Sequence, residues 1–242
     1  MSINEWTIDI RIEKNHLVTE IDGQLLLIDT GSPSSFGQCT FEWVYEEMKL
    51  TLPPQPMNFQ ILRERIDLPL DGLIGSNLLL KRGLQLDIPN GLLTLYDEIP
   101  YGSRACVLRS IMNVPAVTID VGGIPQKIII DTGAMQSFID KQTALELPRV
   151  GSVRDFMPTG DEFIAELVEM EAVVHQTKVV IQPAVSPPEL ETLLDDVSAS
   201  GIIGLDVLKT AVFRFSPNIG FMSPAIRLNR IPSEEAVTFF ED

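Results

Sequence analysis

With 242 residues, Asp and Glu outnumbering Lys and Arg by 34 to 18 and a formal charge of −16, the chain has no concentrated positive surface for phosphate, and nucleic acid is excluded as an expected partner. A hydrophobic content of 45% against 21% charged residues excludes extended disorder and suits one large domain or two ordinary lobes. Cys39 and Cys106 lie far apart and outside any CxxC pattern, which argues for reduced thiols and against a disulfide framework or zinc site.

The opening residues, Met1 to Trp6, hold neither a basic segment nor an apolar run, and no stretch approaches the ~20 apolar residues of a membrane span. A cytoplasmic protein without a membrane partner is the expectation. Trp6, Ile8, Ile10 and Ile12 alternate with polar residues, which predicts a half-buried strand. A second apolar strand, Leu25 to Ile28, runs into Asp29-Thr30-Gly31-Ser32. Phe41 to Lys49 is read as helical, and Leu52 to Pro56 carries three prolines that cannot donate to a strand ladder. Asp71, given a turn role, precedes Gly72-Leu73-Ile74-Gly75, and strands follow at Leu84 to Ile88 and Leu92 to Tyr96. The polar stretch Pro100 to Arg104 marks a boundary, giving lobes 1–103 and 104–242.

In the second lobe Val117, Ile119 and Val121 alternate ahead of Gly122-Gly123, and Lys127 to Ile130 leads into Asp131-Thr132-Gly133-Ala134. A helix is expected over Lys141 to Leu147. Residues 153–166 are read as strand, turn, strand, with Pro158-Thr159-Gly160 at the tip. Val179 to Gln182 and Val212 to Phe215 are short strands; Pro187 to Asp196 is read as a solvated acidic loop. His16 and His175 have no metal-ligand spacing. The tail from Ile231, with Phe239 and Phe240, either packs between lobes or frays.

The chain also repeats itself. Gln24 to Phe36 recurs as Gln126 to Phe138 at an offset of 102, pairing Ser35 with Ser137 and Phe36 with Phe138. Gly72 to Leu79 recurs as Gly201 to Leu208 at an offset of 129, continuing to Gly91 and Gly220, with turn signals at Pro89 to Gly91 and Ser216 to Asn218. The interval between the two elements is therefore 27 residues longer in the second copy. From this composition two Asp-Thr-Gly triplets arise by chance with probability on the order of 10⁻³, so the pair is a signal.

The triplet has a chemical logic. Apolar residues before Asp set it at the end of a buried strand, where a carboxylate must be hydrogen-bonded or share a proton. Gly lets the chain turn and offers an amide, and Thr has a hydroxyl to tie the turn to its partner. Two such turns facing each other bring two carboxylates onto one water, with one proton held between them. One then acts as general base and the other as general acid, with no cofactor or metal.

These residues resemble the retropepsin and pepsin clan of aspartic peptidases, whose half-site is an apolar-apolar-Asp-Thr/Ser-Gly turn followed downstream by an apolar-apolar-Gly element. The resemblance covers most of residues 5–98 and 114–223. It implies a mostly β fold of two pseudo-twofold-related lobes, a peptide or protein substrate in the cleft between them, and a monomer, since both half-sites lie in one chain. Asp29 and Asp131 would form the catalytic dyad, Thr30 and Thr132 would interlock beneath it, and Gly31 and Gly133 would supply amides. The Ser32 hydroxyl would reach its carboxylate where Ala134 has none, making the aspartates unequal. A single flap is expected on the second lobe, because the extra length falls there and the first lobe has its proline run. Alternative functions are a silent peptide-binding clamp and a self-processing or assembly-activated peptidase.

Overall fold

A computed structural model describes residues 5–43, 48–53, 59–96, 108–111, 114–157, 159–174, 177–210 and 212–215. The proposed lobe boundary at 100–104, Cys106, Pro54 to Pro56, Pro158, His175, the turn at 216–218 and the tail from Ile231 lie outside the described residues.

The alternating segment forms β1 (Glu5–Glu13), with Ile10 buried between exposed Asp9 and Arg11. It turns into β2 (His16–Ile21) and then β3 (Gln24–Asp29) through Asp22 and Gly23, whose φ angles of 53° and 75° suit the twist of a two-residue hairpin. β4 (Phe36–Gly37), β5 (Thr40–Trp43), β6 (Met48–Thr51), α1 (Phe59–Ile66), β7 (Gly72–Gly75), α2 (Ser76–Leu79), β8 (Gly83–Asp87) and β9 (Leu92–Tyr96) complete the first lobe. The second lobe contains β10 (Leu108–Ile111), β11 (Val114–Val121), β12 (Ile124–Ile130), β13 (Phe138–Ile139), α3 (Lys141–Ala144), β14 (Arg149–Phe156) and β15 (Glu162–Val168). It continues with β16 (Met170–Val174), β17 (Thr177–Ile181), β18 (Ala184–Val185), α4 (Pro188–Asp196), β19 (Gly201–Ile203), α5 (Leu205–Leu208) and β20 (Val212–Phe215). The molecule is mostly β, as its alternating segments predict.

Two local readings are corrected. The segment read as helical over 41–49 lies in the hairpin of β5 and β6, in register from Thr40 opposite Thr51 to Trp43 opposite Met48. Phe41 is buried while Glu42 is exposed, the two-residue period of a strand. The acidic loop at 187–196 is helix α4: Pro188 occupies its first turn, where no N–H is needed, and Glu189 and Glu191 suit the positive end of the helix dipole.

The internal repeat is reproduced pair for pair. β3 runs parallel to β7, from Leu26 opposite Gly72 to Asp29 opposite Gly75; β12 runs parallel to β19, with Ile128 opposite Gly201 and Ile130 opposite Ile203. In each lobe a two-residue strand then packs antiparallel on the other edge, Phe36 opposite Leu73 and Phe138 opposite Ile202. Each Asp-Thr-Gly turn therefore emerges beside the start of a Gly-led helix.

The last described strand crosses between lobes. β20 lies antiparallel to β8 and closes the edge of the first lobe's sheet, whose order is β20-β8-β9-β1-β2-β3-β7-β4. β8 and β20 are repeat equivalents, and Arg214 lies opposite its own counterpart Gln85, with its Nε donating to Gln85 Oε1 at 2.5 Å. The pseudo-twofold axis passes through that pair. One apolar cluster joins Ile10, Leu84 and Ile74 of the first lobe to Ile128, Ile203 and Phe215, so the lobes share a core.

Candidate active site

Thr30 and Thr132 are fully buried and bind each other's lobes reciprocally. Thr30 Oγ1 donates to the Ile130 carbonyl at 2.8 Å and accepts the Thr132 N–H at 3.0 Å. Thr132 Oγ1 donates to the Ile28 carbonyl at 2.7 Å and accepts the Thr30 N–H at 3.0 Å. Four hydrogen bonds thus fix the two turns against one another with every polar atom of the interlock satisfied.

Above this interlock Asp29 and Asp131 face each other within hydrogen-bonding reach. Each glycine lies against the opposite lobe's carboxylate: a Cβ on Gly133 would stand 2.5 Å from Asp29 Cγ, and one on Gly31 would overlap the Asp131 carboxylate. Only glycine permits that approach. Asp29 Oδ1 accepts the Ser32 N–H at 2.8 Å, while Asp131 Oδ1 accepts the N–H groups of Gly133 at 2.8 Å and Ala134 at 3.2 Å.

Removal from water pushes both carboxyl groups above their ordinary range, and Asp29 goes further because the charge of Asp131 adds to its burial. The amides of Gly133, Ala134 and Gly31, with the Asp29 carboxyl, draw Asp131 partly back. The pair titrates as a unit. In the singly protonated form one proton is shared between them, and the Asp131 side offers an anion two backbone N–H groups against one at Asp29.

The inequality has a different origin from the one expected. The Ser32 hydroxyl donates to the Ser34 carbonyl at 2.8 Å, and the residue reaches Asp29 through its backbone N–H. Ala134 makes the same backbone contact. Asp71, expected in a turn role, braces β3 instead: its Oδ2 accepts the Leu25 N–H at 2.8 Å, at the end of β3 remote from Asp29.

Supporting residues that the sequence left unassigned form a second symmetric set. Ser35 Oγ donates to Asn77 Oδ1 at 2.7 Å and accepts the Gly75 N–H at 2.8 Å; Ser137 Oγ donates to Asp206 Oδ1 at 2.7 Å and accepts the Gly204 N–H at 3.0 Å. Ser76 N–H and Leu205 N–H bond the carbonyls of Ser32 and Ala134, both at 2.8 Å. Ser76 Oγ also donates to the Thr30 carbonyl at 2.5 Å. The repeat offsets that paired Ser35 with Ser137 also pair Asn77 with Asp206, a signal available in the sequence.

The segment 153–166 lies in the hairpin of β14 and β15, and Met157 N–H closes its turn on the Asp161 carbonyl. Thr159 Oγ1 donates to Asp161 Oδ2, and Gly160 adopts φ +94°. The hairpin reaches the first lobe: Gly160 meets Ile61, Arg65 Nη1 pairs with Glu162 Oε1 at 2.5 Å, and Phe156 joins the cluster of Leu25, Phe36, Phe59 and Leu62. Phe156 also stands 6.5 Å from the ring of buried His16. The first lobe has a hairpin of its own, β5 and β6, but Glu42 N–H is bonded to Asp22 Oδ2 at the β2–β3 turn. That turn is at the opposite end of β3 from Asp29.

Phe156 is the stronger anchor of the crossing hairpin, because the Arg65–Glu162 pair is half exposed and worth under ~1 kcal/mol, whereas truncating a core Phe costs roughly 3–5 kcal/mol, of which the half-buried Phe156 keeps about 2 kcal/mol or more. Phe156→Ala is expected to speed amide exchange across 159–163 by about 30-fold or more, and Arg65→Ala by about fivefold or less. Equal acceleration in the two variants would contradict this ranking.

No family model matches the chain, and no curated protein matches it. Among solved structures, Basic 7S globulin from soybean matches with a TM-score of 0.52 at 10% identity, over 92% of this chain and 95% of that one. The fold is pepsin-like. Within that pepsin-like frame the two Asp-Thr-Gly turns meet on the pseudo-twofold axis, between the lobes and above their shared core. Among the described residues no helix is long and apolar enough to cross a membrane.

Proposed function

We propose that the chain is an aspartic endopeptidase acting through Asp29 and Asp131. The observation that carries this reading is the meeting of two carboxylates, each pushed upward in pKa, over a fully satisfied threonine interlock. A paired-carboxylate site of this kind has a large burial penalty that a purely structural turn would avoid.

In the proposed reaction, ionised Asp131 removes a proton from the attacking water while protonated Asp29 gives its proton to the scissile carbonyl oxygen. The C–O bond forms, the carbonyl π bond breaks, and a neutral tetrahedral diol results. The proton then held by Asp131 passes to the departing nitrogen, Asp29 recovers a hydroxyl proton, and the C–N bond breaks to give acid and amine. Gly31 and Gly133 let the two carboxylates approach without a side chain between them. The hairpin of β14 and β15, through Thr159 and Gly160, serves as the single lid.

Cleavage of a synthetic peptide library, with new termini read by mass spectrometry, tests the assignment. The wild-type protein is expected to generate termini that Asp131→Asn does not; a library left intact by the wild type across pH 3 to 7 would sink it. The pH profile should be bell-shaped. On the acid side activity falls as the pair takes up a second proton, and on the basic side as it loses the shared one. Because both groups are raised from 3.8, both limbs should lie above that value. A profile whose basic limb falls near pH 4 would contradict the shared proton.

A further inference from the structure

The hairpin of β14 and β15 leaves one lobe and lands on the other, and a carboxylate sits at the crossing. Val153, Phe163 and Ala165 share the second lobe's apolar cluster with Ala134 and Phe138, and the Phe163 and Phe138 rings are 6.0 Å apart. Nearer the tip, Phe156, Gly160 and Glu162 belong with first-lobe residues. Asp155 lies between these two footings. It is paired across the hairpin with Phe163 and shares a face with Val153, the face that packs in the cluster containing Ala134, next to the Asp131 turn.

Asp155 is only 9% exposed. Its Oδ1 accepts the N–H of its own neighbour, Phe156, at 2.8 Å, and among the described residues no Lys, Arg or His pairs with it. The neighbouring Arg154 points instead to Glu162, at 3.9 Å. Burial pushes the Asp155 carboxyl upward with no cation to draw it back. A carboxylate withdrawn from water and left without a counter-charge gains strongly when a ligand brings one. The formal charge of −16 adds a long-range attraction for the same kind of ligand.

We infer that Asp155 is a specificity-determining residue, receiving a Lys or Arg side chain from a peptide lying beneath the hairpin crossing. The inference rests on the peptidase reading and names its substrate class: unfolded segments with a cationic side chain close to the cut. Lys and Arg both reach a recessed carboxylate on an apolar stem, which suits the Val153 and Phe163 surroundings.

The test compares two synthetic peptide libraries, one with Lys at varied positions and one with norleucine in its place, on wild type, Asp155→Asn and Asp155→Glu. Wild type and Asp155→Glu are expected to cut within two residues of Lys at least about tenfold more often than at norleucine. Asp155→Asn should lose that preference while still cutting the norleucine library within about threefold of wild type. Equal cutting of both libraries by wild type, or a Lys preference that survives in Asp155→Asn, would overturn the inference and leave the peptidase reading standing. Should no form cut either library, the peptidase reading fails, and binding decides the role of Asp155. Lys peptides held about tenfold more weakly by Asp155→Asn than by wild type in fluorescence anisotropy support it, and equal retention overturns it. A cooperative melting transition in each variant shows that the fold is retained, and the Glu variant separates loss of charge from loss of packing.

Discussion

Asp131→Asn is expected to lower peptide cleavage by about 10⁴-fold, the upper end for a single acid–base group, because the carboxylate both holds and deprotonates the water in the proposed reaction. Asp29→Asn should be comparably inactive, since an amide at that position cannot supply the proton. Stability should move in the opposite direction. Above its ordinary value of 3.8 an unfolded Asp has lost its proton while folded Asp29 still holds one, so the folded state binds more protons. Stability of the wild type therefore declines as pH rises from about 4 toward the raised value, and Asp29→Asn removes its share of that slope. Calorimetry at pH 4 and pH 7 should show the variant gaining on the wild type at the higher pH. Retained cleavage in either Asn variant would refute the dyad.

Thr30→Val should have the largest effect on stability. Valine fills the same space, but the Ile130 carbonyl and the Thr132 N–H lose their partner where no water reaches. At about 1–3 kcal/mol for each stranded group, the total is about 4 kcal/mol, against 5–15 kcal/mol for a typical fold. For a chain of this length the melting temperature should fall by about 8–16 °C. Thr30→Ser keeps the hydroxyl and should lose far less. Because the four bonds form one unit, adding Thr132→Val should cost less than the sum of the single changes. A Thr30→Val protein melting within about 2 °C of wild type would show that the interlock is not a principal source of stability.

The half-sites were legible because their signals are short and repeated: an apolar strand, Asp-Thr-Gly, and a Gly-led element at matching offsets. Strands at Glu5–Glu13, Leu92–Tyr96 and Val212–Phe215 followed from alternation and turn formers. Helix α1 received no reading, although Phe59, Leu62 and Ile66 have the three- and four-residue spacing of a helix face. At 187–196 an acidic loop was read where the prolines begin a helix, since proline opens a helix as readily as it ends one. The orientation of the Ser32 hydroxyl was beyond reach, since competition between a carboxylate and a nearby carbonyl is decided by turn geometry. Long-range partners were equally hidden. The offset of 129 gave β8 and β20 as equivalents, but nothing local states that equivalent strands pair with each other, or that Phe156 crosses to the first lobe.

That strand exchange has a consequence for biosynthesis. The edge of β8 is capped by residues 212–215, so a ribosome must make the second Asp-Thr-Gly turn and its Gly-led helix before the first lobe's sheet is finished. Until then the nascent half presents an open edge, a template for unwanted pairing. The two carboxylates are held in register by contacts between residues 28–30 and 130–132, so neither half-site is complete before the second turn has been made. On the proposed reading, destructive chemistry is withheld until both halves of the chain have been made.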